Sequence, residues 1–143
     1  PDIGLPIPVV QTAMGRALAA ILPVEEATLL DERLEADDAE QWAAYRDRFH
    51  AGIRDCAERG FCTCPGEYMA AIHAVAAPLF VGHDLKQVFA INCGVPAFRL
   101  QAGQLESEIG PRIRALAASI RALVDEAEPA IVRRVPEAKE AAG

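Results

Sequence analysis

One stretch of the chain, between Asp38 and Gly60, constrains the fold most because it has the pattern of a long amphipathic helix. Its apolar residues recur at three- and four-residue steps, and residues at those steps lie on one face of a helix. These residues are Trp42, Tyr45, Phe49, Ile53 and Cys56. Asp37 or Asp38 is expected to cap the helix, and Gly60 is expected to end it. It is the clearest amphipathic helix in the N-terminal half of the chain.

Two shorter helices are predicted before this one. Residues 1–10 contain three prolines and a glycine, which favour an extended opening loop. Thr12 can cap a first helix that runs through Leu22. Pro23 ends that helix and suits the first turn of a second one, which has a pair of glutamates at its start and ends near Glu35.

After the long helix the pattern changes to short runs that are typical of strands. Residues 61–64, 68–81 and 87–93 are predicted to form three strands, and the last two are expected to pair as an antiparallel hairpin around a turn at residues 82–84. Three strands form a thin sheet for so many helices, which suggests that further strands are missing upstream.

The C-terminal part of the chain is predicted to be one more helix and a tail. Apolar residues mark one helical face from Gln104 to about Ala127, and Pro111 is expected to kink this helix one turn in. Residues 128–143 contain two prolines and no apolar face, which is typical of a loose tail. Residues 11–127 are therefore expected to form one domain of class α+β.

The length and charge of the chain exclude several classes of function. It has 143 residues and a formal net charge of −7. A chain of this length can bury an ordinary core without disulfide or metal staples. No apolar stretch approaches the roughly 20 residues that cross a bilayer, so we expect a soluble protein without membrane contact. The acidic balance repels phosphate backbones and disfavours a nucleic-acid surface on this chain alone.

The cysteines leave an alternative function open. Cys62 and Cys64 are two apart and share one strand face, and His73 or Cys93 could face them from neighbouring strands. Zinc sites usually use paired Cys-x2-4-Cys knuckles, whereas this chain has one short pair and three scattered histidines. We expect free thiols of a cytoplasmic protein, no metal, no cofactor and no enzymatic activity. A thiol- or zinc-using enzyme or sensor remains the alternative.

Five short motifs follow one another between Leu5 and Leu123. They are Leu5-Pro6, Thr12-Ala13-Met14-Gly15-Arg16-Ala17-Leu18, Glu58-Arg59-Gly60-Phe61, Ala74-Val75-Ala76-Ala77-Pro78-Leu79-Phe80 and Ala90-Ile91-Asn92-Cys93-Gly94. Their order and spacing resemble the C-terminal effector-binding domain of IclR-type bacterial transcription regulators. The resemblance implies a GAF-like fold with an antiparallel sheet packed by helices, a small organic effector, and dimer or tetramer contacts.

The resemblance also implies what lies outside this chain. In the family, the effector domain follows an N-terminal winged helix-turn-helix that binds DNA. This chain starts inside the loop before the Thr-Ala-x-Gly-Arg-Ala helix, so we expect that the DNA-binding domain and the first strands of the effector domain are absent from it. DNA would then be contacted only through a domain that is not in this chain, which agrees with the acidic charge.

The resemblance places a ligand pocket between the sheet and the turn that opens the Gly-Arg-Ala helix. The family positions that contact ligand match Ala13, Met14, Cys64, Ile72, Ala74, Asn92 and Gly94. Cys64 stands where an acidic residue is common in relatives, whereas Asn92 can donate and accept hydrogen bonds and is the best polar contact. Backbone N–H groups at a helix start attract anions, so a carboxylate could lodge near Ala13 and Met14.

The sequence therefore predicts a domain that binds a small organic acid or an aromatic compound and assembles into a homodimer or tetramer. The same positions also suit a packed core, because most of the predicted pocket residues are small or apolar. A purely structural oligomerisation module, whose pocket is vestigial, remains a further alternative.

Overall fold

The computed structural model describes residues 6–81 and 87–132, with side chains for residues 6–80 and 88–125. The fold is α+β, as the sequence predicts, with a three-stranded antiparallel sheet and helices on both of its faces. The elements are α1 (Ala13–Ala19), α2 (Val24–Asp37), α3 (Ala39–Arg59), β1 (Cys62–Pro65), β2 (Ile72–Val81), β3 (Gln87–Pro96), a 3-10 turn (Ala97–Arg99), a π-helical turn (Leu105–Ile109) and α4 (Gly110–Val132).

The residues that were predicted to cap α1 and α3 do so in the structure. The Thr12 hydroxyl accepts a hydrogen bond from the Gly15 amide at 3.2 Å. The Asp38 carboxylate caps α3 by accepting from the Gln41 amide at 2.9 Å. Gly60 ends α3 with a φ of 78°, a left-handed conformation that costs glycine little because it has no Cβ.

Several predicted boundaries are wrong by a few residues. The first helix ends at Ala19 and not at Leu22, and the second extends to Asp37. Strand β2 begins at Ile72 and not at residue 68, because residues 66–71 form a turn in which the Ile72 amide donates to the Met69 carbonyl at 2.8 Å. Strand β3 continues to Pro96, which the sheet tolerates because β3 lies at its edge.

The C-terminal helix also differs from its prediction. A π-helical turn over Leu105–Ile109 precedes Pro111, and α4 starts at Gly110 directly behind it, so Pro111 lies in the first turn of α4 and not one turn into a helix that starts at Gln104. Helix α4 continues to Val132, so residues 128–132 are helical and do not belong to a loose tail. The predicted hairpin turn at residues 82–84 and the rest of the predicted tail lie outside the described residues.

The sheet separates two parts of the core. The strand order is β1-β2-β3, and the register pairs Cys64 with Ala74 and Ala74 with Gly94. Alternate residues of a strand point to opposite faces. One face therefore packs against α1 and α3, and the other face, which includes Val75 and Ala77, packs against the π-helical turn and α4. In the described part of the chain, no helix combines the length and apolar composition needed to cross a bilayer.

Candidate ligand-binding site

A cavity with a volume of about 180 Å³ lies where the start of α1 meets one face of the sheet. It is bordered by the segment before α1, the first residues of α1, all three strands, and the turn between β1 and β2. The described residues that line it are Ile7, Gln11, Thr12, Ala13, Met14, Cys64, Tyr68, Met69, Ile72, Ala74, Asn92 and Gly94. All seven residues that the family resemblance predicts for a ligand pocket are among them.

The strand register explains why the sheet residues meet. Cys64, Ala74 and Gly94 form one row across the three strands, because Cys64 pairs with Ala74 and Ala74 pairs with Gly94. Ile72 and Asn92 lie two residues away from this row on their own strands, so they share its face. The row contains an alanine and a glycine, and these small residues leave the space that the cavity occupies.

Gly15 brings the opening segment close to α1. A Cβ atom at Gly15 would overlap the backbone of Val9, including its carbonyl oxygen. Glycine therefore allows the segment before α1 to cross directly over the helix. The crossing places Ile7 and Gln11 at the cavity wall beside Met14.

The turn between β1 and β2 supplies two residues that the sequence prediction missed. Tyr68 is 46% exposed and Met69 is 52% exposed, and both border the cavity. Residue 68 was predicted to begin a strand, which would have placed it in the sheet. The Pro65-Gly66 pair was the available signal for a turn, and Gly66 adopts a positive φ of 70° there.

A buried ion pair, also missed from the sequence, connects the segments around the cavity. The side chains of Arg16 and Glu67 are 2% and 8% exposed, and the Nη1 and Oε1 atoms lie 3.0 Å apart within a bidentate contact. Arg16 also donates to the carbonyls of Thr63 and Val10, each at 3.3 Å. One side chain thus joins the opening segment, β1 and the turn that holds Met69.

Several polar groups at the cavity already have partners. The Cys64 thiol donates to the Gln11 carbonyl at 3.1 Å, and burial raises the pKa of this thiol, which keeps it neutral. The Thr12 hydroxyl donates to the Pro8 carbonyl at 2.9 Å besides capping α1. The Asn92 side chain is exposed at the rim of the cavity and is the most accessible amide there.

The structure separates the residues of the thiol or zinc hypothesis. Cys62 and Cys64 share the face toward α1, as predicted, but the register places His73 and Cys93 on the opposite face. The expectation that His73 or Cys93 could face the cysteine pair is therefore wrong. A hydrogen bond with Cys56, together with burial, raises the pKa of the Cys62 thiol. Among the described residues, no group of three or more histidine, cysteine, aspartate or glutamate side chains could hold a metal ion.

The structure is that of an α+β domain with a small cavity between the start of a helix and an antiparallel sheet. The sequence profile for the bacterial transcriptional regulator IclR C-terminal region matches residues 1–122 of this chain. The chain belongs to this family. No curated protein matches the chain.

Solved structures of transcriptional regulators share this fold. An IclR-family regulator from Brucella abortus is 32% identical with a TM-score of 0.74, and the match covers 82% of this chain and 44% of that one. A regulator from Rhodococcus sp. is 30% identical with a TM-score of 0.71, over 87% of this chain and 51% of that one. The chain thus spans about half of the length of these two relatives. Both relatives are described as transcriptional regulators.

The inducer-binding domain of the PobR transcription factor from Acinetobacter has the same fold at lower identity. It is 20% identical with a TM-score of 0.59, and the match covers 82% of this chain and 67% of that one. That structure is a double mutant in complex with 3-hydroxybenzoic acid.

Proposed function

We propose that this chain is the effector-sensing part of a bacterial transcription regulator and binds a small organic acid or aromatic compound in the cavity beside α1. One observation carries the proposal: the seven residues that match ligand-contact positions of the family line a single cavity. These residues come from α1 and from all three strands, so their convergence does not follow from closeness in sequence.

The proposed mechanism is binding without chemistry. An effector in the cavity packs against Met14, Ile72 and Ala74 and meets the Asn92 amide at the rim. Helix α1, the turn at residues 66–71 and β3 all border the cavity, so an effector that fits one arrangement of them better shifts the population toward that arrangement. The effect on DNA binding requires that the effector's affinity differs between the two states.

DNA is contacted, in this proposal, by a winged helix-turn-helix that is not in this chain, and the regulator acts in the cytoplasm as a homodimer or tetramer. The chain is acidic, which favours DNA contact through a separate, basic domain.

Leu116 and Leu123 on α4 are exposed apolar residues that suit contact with a second copy in such an assembly. Light scattering after size-exclusion chromatography measures the oligomeric state.

A ligand screen tests the proposed function. Differential scanning fluorimetry of the chain against small carboxylates and hydroxylated aromatics should give a saturable shift, followed by calorimetry. An effector at 100 times its Kd stabilises the folded chain by about 2.7 kcal/mol. A compound that occupies the cavity should lose affinity in Ala74→Leu, which fills the floor, and keep it in the control Ala43→Leu on the exposed face of α3.

The opposite outcome is equally informative. A flat screen on a folded sample, with assembly intact, would contradict the sensing function. It would favour a purely structural oligomerisation module whose cavity is vestigial.

A further inference from the structure

We propose that Cys56 and Cys62 form a redox-active pair, which hydrogen peroxide converts from two thiols into a disulfide, and that this disulfide loosens the contact between β1 and the start of α1. The proposal assigns a modification site to the chain and does not depend on which effector binds. It draws on the packing of the two cysteines, on their hydrogen bonds and on the difference between their thiols.

The fold brings these two cysteines together between α3 and β1. Cys56 lies in the last turn of α3, Cys62 is the first residue of β1, and Gly60 ends the helix between them. Both side chains are buried in one core cluster, and a hydrogen bond joins their thiols. Hydrogen-bonded thiols are already neighbours, so a disulfide requires only a short movement of the two sulfurs.

The other two cysteines are not placed to compete for this bond. Cys64 follows Cys62 on the same face of β1, and such residues lie about 6.7 Å apart, whereas the Cβ atoms of a disulfide lie roughly 3.8 Å apart. The Cys64 thiol also donates to the Gln11 carbonyl at 3.1 Å. Cys93 lies on the opposite face of the sheet. The fold therefore selects one pair among the four cysteines.

The two thiols differ in acidity and in access, which gives them separate roles. The hydrogen bond with Cys62 lowers the pKa of the Cys56 thiol, and the Arg59 guanidinium acts in the same direction, although burial opposes both. The same hydrogen bond, together with burial, raises the pKa of Cys62. The thiolate is the form that attacks an oxidant, so Cys56 reacts first. Cys56 is 5% exposed and Cys62 is 0% exposed, which restricts the oxidant to a molecule as small as hydrogen peroxide.

The reaction balances with one peroxide for each pair. The Cys56 thiolate attacks one peroxide oxygen, the O–O bond breaks, and Cys56 becomes a sulfenic acid while hydroxide leaves and takes up the proton that Cys56 released. The Cys62 sulfur then attacks the Cys56 sulfur, the S–O bond breaks, and the Cys62 proton leaves with the hydroxide as water. The two thiols together lose two electrons, and the peroxide is reduced to two molecules of water.

A hydrogen bond of Cys62 connects this pair to the candidate site. A thiol has one hydrogen to donate, and Cys62 donates it to the Ala13 carbonyl at 3.3 Å. A disulfide sulfur carries no hydrogen, so oxidation removes this bond. Ala13 is the first residue of α1 and borders the cavity. The disulfide therefore fastens β1 to α3 and releases a contact between β1 and α1 at the cavity wall.

Thiol counting and peptide mapping test the pair in the unmodified 143-residue chain. We expect peroxide treatment of the folded chain, followed by alkylation in denaturant, to lower the number of reactive thiols from four to two, and dithiothreitol to restore them. Trypsin cleaves after Arg54, Arg59 and Lys86, so the disulfide should link the peptide 55–59 to the peptide 60–86. The control is the same treatment in urea, where mixed pairings should form because the fold no longer selects one pair.

Single substitutions identify the two sulfurs. Cys56→Ala and Cys62→Ala should each abolish the intramolecular disulfide. Cys64→Ala and Cys93→Ala are the matched controls and should retain it, with circular dichroism verifying that all four variants fold.

Hydrogen exchange tests the effect on α1. Diamide, an azo compound that takes two hydrogens from a pair of thiols and becomes a hydrazine, gives the oxidised state without altering methionine. A peptide that covers α1 contains no cysteine, so mass spectrometry can follow it in both states. We expect faster exchange in Ala13–Ala19 after oxidation and no change in residues 113–123 of α4, which packs on the other face of the sheet. The difference should disappear in Cys56→Ala.

Two outcomes would contradict the proposal. Four reactive thiols after peroxide treatment of the folded chain, or a disulfide through Cys64 or Cys93, would overturn the redox pair. A disulfide between Cys56 and Cys62 with unaltered exchange in α1 would overturn its effect on the candidate site.

Discussion

At the residue scale, Arg16 holds together the segments around the candidate site. Its guanidinium is almost completely buried, and its partners lie before α1, on β1 and in the turn after β1. A buried charge is tolerated when it is paired and hydrogen bonded, and Glu67 supplies both conditions through a bidentate contact. Removal of one member of the pair would therefore leave the other as a buried charge without a partner, which destabilises the fold.

Glu67→Ala should lower the free energy of unfolding by about 3–5 kcal/mol, because it leaves the Arg16 charge buried without its partner. Urea denaturation followed by circular dichroism measures the change. The control is Asp47→Ala, which removes an exposed contact with Arg46 and should alter stability by less than about 0.5 kcal/mol. Equal, small effects of the two variants would contradict the role of the buried pair.

Asn92→Ala should weaken the binding of a hydroxylated effector by about 1 kcal/mol, because it removes one hydrogen bond at the solvent-exposed rim of the cavity. Calorimetry with a hydroxylated aromatic found in the fluorimetry screen measures the effect. Gln101→Ala, at an exposed amide outside this cavity, is the matched control and should leave the affinity unchanged. Unaltered affinity in Asn92→Ala would remove Asn92 from the site.

At the scale of elements, the four-residue strand β1 contributes both to the core and to the site. Cys62 is packed among core residues with Ala76, its partner on β2, whereas Cys64 borders the cavity. The turn that follows β1 changes direction within a few residues and sets Tyr68 and Met69 beside the cavity. Strand β1 therefore contributes both to the packed core and to the cavity wall, and the turn that follows it adds two more residues to that wall.

The buried thiol of Cys64 gives the stability of the chain a dependence on pH. Burial raises the pKa of this thiol above its ordinary value of 9.0. Below pH 9 the thiol is neutral in both the folded and the unfolded chain, so its contribution is fully present. Above that value the unfolded chain releases the proton while the folded chain retains it, which favours unfolding.

Thermal unfolding under reducing conditions, measured at several alkaline pH values, should therefore show a Tm that falls as the pH rises above 9. Cys64→Ala removes this group, so the Tm of the variant should fall less steeply over the same range. Parallel curves for the two proteins would contradict the assignment of the raised pKa to Cys64.

At the scale of the whole molecule, the sheet separates the candidate site from a second core. The face toward α1 borders the cavity, while the other face packs Val75 and Ala77 against Leu105 and Ala117. Because the two sets of side chains lie on opposite faces, we expect damage to the second core to affect stability more than it affects the shape of the cavity.

Leu105→Ala tests this separation. Truncating this buried leucine should reduce the free energy of unfolding by about 2–5 kcal/mol. Calorimetry with a compound found in the fluorimetry screen, performed well below the unfolding transition of the variant, should give an unchanged Kd. A large loss of affinity in a folded variant would mean that the two faces of the sheet are coupled.

Most of the helices and strands and most of the candidate site could be predicted from the sequence. Periodicity and the capping residues Thr12, Asp38 and Gly60 located the helices to within a few residues, since these signals act through local hydrogen bonds and backbone geometry. The family resemblance supplied the seven residues that border one cavity. Local patterns failed at the turn after β1, where the Arg16–Glu67 pair and a hydrogen bond from Ile72 to Met69 hold the chain in a turn, and they ended α4 a few residues too early.

The contacts between these elements could not be predicted from the sequence, because they depend on long-range pairing in the fold. The register placed His73 and Cys93 on the face away from Cys64, and no sequence pattern could reveal it because pairing across strands is a long-range choice. The Arg16–Glu67 pair joins residues 51 positions apart, so neither charge signals its partner in the sequence. The lining of the cavity likewise depends on the fold in three dimensions, because side chains from α1, from the three strands and from the turn after β1 converge there.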